Sequence, residues 1–248
     1  LAQKYYGTFF VNWMVLQTKE KYSLLKLLAF PVLMTVVLYS IKLYETINNV
    51  HFTYLGVYPK SVKGLLGIIT HPLVHGDWTH LLNNSVSLFF LSLAIIYFYK
   101  KIALQIIPLL WLVTGFWLWI FGRESYHIGA STLVYAFASF LFFSGVFRKN
   151  KSLAIISMLV VFLYGSMVWG IFPMKVQISF EGHLAGFLAG LAFAFYYRKQ
   201  GPQDDTYQLL EDEENNEEED DEDENAYWKL PEQKQTTQIN YHYKKKEK

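Results

Sequence analysis

The sequence predicts an all-α membrane protein, a bundle of six transmembrane helices followed by an acidic tail, and two observations carry that reading. The first is composition. The 248 residues are 52% hydrophobic and 18% aromatic, and the apolar ones gather into runs at roughly 24–44, 78–99, 102–122, 132–147, 153–172 and 183–197. A bilayer core about 30 Å thick takes about 20 mostly apolar helical residues, and fewer where a helix starts below the surface. The second is charge. The formal +1 conceals 16 basic and 5 acidic residues in positions 1–200, against 6 basic and 16 acidic in positions 201–248. Two different polymers are joined end to end. No cysteine occurs, which excludes disulfides, a thiolate nucleophile and any Cys-based metal site.

Residues 1–23 read as a cytoplasmic or interfacial segment. The run Phe9–Leu16 is too short to span but apolar enough to lie in the interface, or it forms a short structured cap. Residues 24–199 form the membrane domain. Its first run lacks a small-residue cleavage site and therefore reads as a retained helix, not a signal peptide. The connection from Glu45 to Asp77 is long and mixed in character. It reads as a partly membrane-embedded loop, which survives only where protein covers it or a water-filled cavity faces it.

Orientation follows from basic residues, which concentrate on the cytoplasmic side. Lys19, Lys21, Lys26, Lys100, Lys101, Arg148, Lys149, Lys151, Arg198 and Lys199 share one side of a six-helix topology, while Lys42, Lys60, Lys63, Arg123 and Lys175 fall on the other. Both termini are therefore expected in the cytoplasm. The absence of a transit-like presequence favours a bacterial plasma membrane over an organelle. Gly201-Pro202 closes the last helix. Residues 200–248 then form a disordered cytoplasmic tail, because a chain so acidic buries too little apolar surface to offset ordering. That tail reads as a solvated chain or as a segment for an unidentified partner. No nucleic-acid partner is expected.

Polar residues inside the apolar runs are functional candidates by default. Asn84 lies 16 residues from Lys100, Ser131 lies 17 from Arg148 and His183 lies 15 from Arg198. At 1.5 Å per residue these offsets are roughly 24, 26 and 22 Å above the inner flank. Three polar groups share one level. The second, fourth and sixth runs also point the same way, so their outer ends converge. Gly182, Gly186 and Gly190, interleaved with Ala185 and Ala189, draw a small-residue stripe that lets a neighbouring backbone come close.

Alone, Ser131 reads as a helix cap, His183 as a helix-end histidine, Asn84 as interhelical glue and Tyr135 as core. Together at one depth, a serine and a histidine are a candidate nucleophile and base. Ser131 would attack a carbonyl, and His183 would take its proton. Glu181 precedes His183 by two residues and would point away on a helix, so a dyad is the simpler arrangement. Tyr135, one turn beyond Ser131 on the same face, is placed to stack on the imidazole.

These residues resemble the rhomboid family of intramembrane serine proteases over roughly residues 24–199. His71-Pro-Leu-Val-His75-Gly-Asp-Trp-Thr-His80-Leu-Leu-Asn-Asn84 is similar to the family's second-helix signature, Gly129-Ala-Ser131 to its nucleophile motif, and His183 with Gly186 and Gly190 to its base motif. The resemblance implies cleavage of transmembrane substrates in or near their spanning helices, from a water-filled cavity. It also implies an oxyanion hole from the Ser131 amide with Asn84 and His75, a scaffold role for His80, and a lateral gate and cap in the fifth helix and the 173–182 loop. Two departures stand out. Thr132 follows the serine where a second glycine is frequent, with a β-branch that would tighten the backbone there. Leu66-Gly67 stands where many members carry Trp-Arg.

Competing chemistries fare worse. The three histidines 71, 75 and 80 lack the His-Glu-x-x-His pattern of zinc proteases, so neither metal nor cofactor is expected. Asp77 is the sole aspartate before the tail, which excludes an intramembrane aspartyl pair. A catalytically silent relative that binds or escorts transmembrane segments is the main alternative. A small transporter is disfavoured by the lack of an internal repeat.

Overall fold

A computed structural model describes residues 2–174 and 178–202, with side chains from residue 24 onward except Met167. The side chains of Phe9–Leu16, the charge of Lys175 and the tail beyond Pro202 lie outside the described residues.

The described chain is all-helical. Helix α1 (Ala2–Asn48) is 47 residues long, of which Leu24–Asn48 is the apolar, spanning part. Pro31 removes one backbone donor inside it, and Thr35 Oγ1 donates to the Pro31 carbonyl at 2.8 Å. The helix stops at Asn49, whose φ of 51° places it in the left-handed region that often ends helices. Helices α3 (Trp78–Phe98), α4 (Ala103–Phe121) and α5 (Ser131–Arg148) are likewise long and apolar enough to cross a membrane.

Two runs differ in extent from what the sequence predicts, one shorter as an α-helix and one longer. The fifth ends its α-helix at Tyr164, so α6 (Lys151–Tyr164) has 14 residues and continues as a 3-10 segment, Gly165–Ile171. Gly165, Gly170 and the donor-less Pro173 explain why the α-helical ladder is not sustained. The sixth begins earlier than expected, giving α7 (Phe180–Tyr196) its 17 residues. Ser179 caps it by accepting from the Gly182 amide at 3.2 Å.

Helix α5 is the hub. Phe137, Phe140, Leu133 and Leu141 are buried, and α3, α4, α6 and α7 all pack on it. Its tightest neighbour is α7, along the glycine stripe. A Cβ on Gly186 would run into the Thr132 carbonyl oxygen, and one on Gly190 into that of Ala136. Small residues here let two backbones touch, as the spacing predicts.

The connection between α1 and α3 is compact rather than loose. It holds short 3-10 turns and one turn of helix, α2 (Gly67–Thr70). Helix α4 covers it. Trp111 Nε1 donates to the Ile69 carbonyl and Trp119 Nε1 to that of Ser61, both at 2.9 Å. Gly115 of α4 leaves no room for a side chain against the Ile68 carbonyl. Two carbonyls of this irregular backbone are thus satisfied by side-chain donors of α4, the covering by protein that the sequence reading expects of it.

Two charges used to orient the bundle are buried structural groups. Arg148 donates from Nε to Ser144 Oγ at 2.8 Å and from its terminal nitrogens to the carbonyls of Tyr197 and Pro202, with the Tyr99 ring 5.3 Å away. It clamps the end of α7 to α5. Lys42, at 7% exposure, is equally enclosed.

Candidate active site

Helix termini bring the polar residues together. Ser131 is the first residue of α5, and the cap position belongs to Ala130, whose side chain has no capping hydrogen bond. Ser131 is therefore not the N-cap, and its hydroxyl is left for another partner. That partner is His183, one turn into α7, with Nε2 at 3.0 Å from Ser131 Oγ. The rest of the imidazole is constrained on two sides. Nδ1 lies 2.9 Å from the Gly170 carbonyl oxygen, which only an N–H can satisfy. Nε2 is consequently the acceptor in the neutral ring and faces the serine hydroxyl. The Tyr135 ring stacks on the imidazole at 4.1 Å between centroids and 11° between planes.

The turn before Ser131 is shaped by Gly129. Its φ is +105°, and a Cβ there would meet the His80 ring at 2.7 Å and Asn84 Nδ2 at 3.3 Å. Only glycine suits both the backbone and the space. The turn is held from below by two residues of the α1–α3 connection. The Gly129 amide donates to the His71 carbonyl at 2.9 Å, and the Ala130 amide donates to His75 Nε2 at 3.3 Å. Burial drives the His75 pKa down to about 3 and that of His71 to about 4. Both rings stay neutral: His75 Nε2 accepts the Ala130 amide, and His71 Nδ1 donates to the Gly67 carbonyl at 2.8 Å.

An open cavity of about 1410 Å³ reaches the pair, and His80, Asn84, Ser131, Tyr135 and His183 line it. His75 does not. It is 2% exposed and turned towards the Ala130 amide, with the His80 ring packed edge-on at 5.1 Å. The sequence reading placed His75 with Asn84, and His80 in the scaffold; it is His80 that lines the cavity, and spacing alone does not say which of the two faces it. Asn84 is buried and its Nδ2 has no hydrogen-bond partner. That is a donor held ready beside the Gly129–Ser131 turn.

Other expectations meet the structure directly. Glu181 pairs with Arg123 at 3.7 Å, whereas His183 Nδ1 faces the Gly170 carbonyl. Thr132 is buried against Gly182 of α7, where a Cβ would approach its Oγ1 to 2.9 Å. Its β-branch therefore packs between helices. Gly67 lies against the Gly56 backbone with no room for a side chain, so a Trp or Arg has no place there. His127 lies four residues before Ser131. Its Nε2 lies 2.9 Å from the Arg123 carbonyl, its Nδ1 lies 2.6 Å from Ser179 Oγ, and its backbone pairs with that of Val57. One side chain thereby ties the α4–α5 loop to the cap of α7. Neither it nor Gly170 carries a sequence signal, since both act through contacts between distant segments.

An all-helical membrane bundle with a Ser–His pair at the heads of two short-spaced helices defines a narrow class. A sequence model described as Rhomboid domain matches residues 63–200, and the chain belongs to the rhomboid family. Among similar proteins, an uncharacterized protein of Mycobacterium tuberculosis and one of Mycobacterium bovis are each 29% identical over 167 residues, covering 64% of this chain and 70% of their own. An uncharacterized protein of Mycobacterium leprae is 27% identical over 183 residues, covering 70% of this chain and 72% of its own.

Proposed function

We propose that this integral membrane protein is a serine endopeptidase that cuts transmembrane-protein substrates in or near their spanning helices. The observation that carries the reading is the 3.0 Å contact between Ser131 Oγ and His183 Nε2 at the wall of an open cavity. Ser131 Oγ attacks the scissile carbonyl carbon as its proton passes to His183 Nε2. The imidazolium keeps its Nδ1–H on the Gly170 carbonyl. The oxyanion develops beside the first backbone N–H groups of α5, which an α-helix leaves without internal partners. Asn84 Nδ2 adds a donor, and His80 takes the oxyanion role expected of His75. The C–N bond breaks as His183 returns its proton to the leaving amine. Water, deprotonated by His183, then releases the acyl group and restores Ser131.

The cavity is assigned to the extracytoplasmic side of a six-crossing bundle with both termini in the cytoplasm. The bacterial relatives support a plasma membrane. The test is incubation of detergent-purified protein with a model transmembrane substrate and a fluorophosphonate probe, beside Ser131→Ala and His183→Ala. The expected result is cleavage and probe labelling by the wild type and neither by the variants. Cleavage that survives either substitution would sink the dyad. A wild-type protein that binds the segment without cutting or labelling would favour the silent, escorting alternative.

A further inference from the structure

The buried pair Lys42 and Glu45 takes no part in the reaction as written, yet every donor of the ammonium is engaged. Lys42 Nζ donates to Glu45 Oε2 at 3.3 Å, to the His75 carbonyl at 2.9 Å and to the Gly76 carbonyl at 3.0 Å. An ammonium has three N–H donors, and all are taken. Glu45 Oε1 accepts from the Phe52 amide at 2.7 Å, and the Glu45 carbonyl accepts from the Val50 amide at 3.0 Å. The pair is 7% and 4% exposed. Both ends of the α1–α3 connection are thus stapled to the last turns of α1. A buried ion pair is a weak source of stability, since desolvation offsets much of the attraction. What it does supply is direction: a fixed place for two adjacent carbonyls.

Those carbonyls stand directly beneath the site. His75, whose carbonyl Lys42 holds, accepts the Ala130 amide on its ring, and Ala130 precedes Ser131. Gly76 leads into Asp77, which caps α3 by accepting from the His80 amide at 2.8 Å and so sets the first turn of the helix carrying His80 and Asn84. We propose that Lys42 and Glu45 are positioning residues that hold the nucleophile turn and the oxyanion donors in register from the end of α1. This rests on the protease reading above. The role is one of alignment: neither side chain touches the cavity, and neither moves a proton.

The test compares wild type with Lys42→Met, Glu45→Gln and the double variant K42M/E45M, in detergent. Three quantities are read: kcat and KM on a model transmembrane substrate, the rate of fluorophosphonate labelling, and the melting temperature. Lys42→Met keeps the length of the side chain but cannot hold carbonyls. The expected result is a fall of about tenfold or more in kcat and in labelling rate, with KM within about twofold, the pattern of a misplaced reacting group. K42M/E45M leaves no unpaired buried charge, so it is expected to recover melting temperature without recovering kcat. If kcat instead tracks melting temperature across the series, returning with it in the double variant, the pair is only structural and the inference falls. It also falls if the wild type labels and every variant labels at the same rate. A wild type that neither labels nor cleaves overturns the protease reading first, and this inference with it.

Discussion

At the scale of single residues, the two histidines that flank Asp77 have different surroundings, and the proposed mechanism gives them different roles. His80 lines the cavity beside Asn84, whereas His75 holds the Ala130 amide beneath it. Removing one donor to a developing oxyanion costs roughly 10²–10³ in kcat in well-studied cases. His80→Ala is therefore expected to lower kcat by about that much with little change in melting temperature. His75→Ala should chiefly lower melting temperature, because it leaves a buried amide unsatisfied. Kinetics and thermal melts on the two variants check this, and the reverse pattern would restore the assignment that the sequence suggested. The case shows where a sequence stops. The spacing of His71, His75, His80 and Asn84 marks them as a set, but which ring faces the cavity depends on the turn at Gly76-Asp77.

At the scale of elements, the contact between α5 and α7 fixes the distance between Ser131 and His183. Gly182, Gly186 and Gly190 were legible from their spacing, and each now lies against α5 or its immediate neighbours. Gly186→Val pushes a side chain into the Thr132 carbonyl, and overpacking of this kind costs typically 1–3 kcal/mol. The expected outcome is a lower melting temperature together with slower probe labelling, since separating the helices lengthens the Ser131–His183 contact. A variant with wild-type labelling and stability would show that the helices are not held by this stripe. The short 3-10 segment after α6 was not legible, because an apolar run reads alike whether its backbone follows a 3.6- or a 3.0-residue turn.

At the scale of the whole molecule, most of the architecture followed from composition: the helical class and the spanning helices α1, α3, α4 and α5. Burial rearranged the charges. Lys42 and Arg148, counted as flank residues in orienting the bundle, are interior anchors, a fate invisible to any tally of basic residues. Burial also sets a pH response. His71 and His75 ionise in the folded protein only near 4 and 3, and desolvation lowers His127 as well. The unfolded chain takes up these protons near the ordinary value of 6.5, so below that pH it binds more protons than the folded one. Stability from these groups is complete above about pH 6.5 and is lost as pH falls towards 4 and then 3. Melting temperature in detergent should be level above neutrality and drop through that window. A flat profile down to pH 4 would contradict the buried, neutral histidines.

The Gly170 carbonyl gives the site an unusual genetic property. The group that holds His183 Nδ1 is a backbone carbonyl, so no side-chain substitution deletes it, and under the proposed mechanism a screen for a third member among acidic residues finds none. Only a change in the chain itself, such as an ester in place of the amide that Gly170 shares with Ile171, weakens that acceptor while every side chain stays in place.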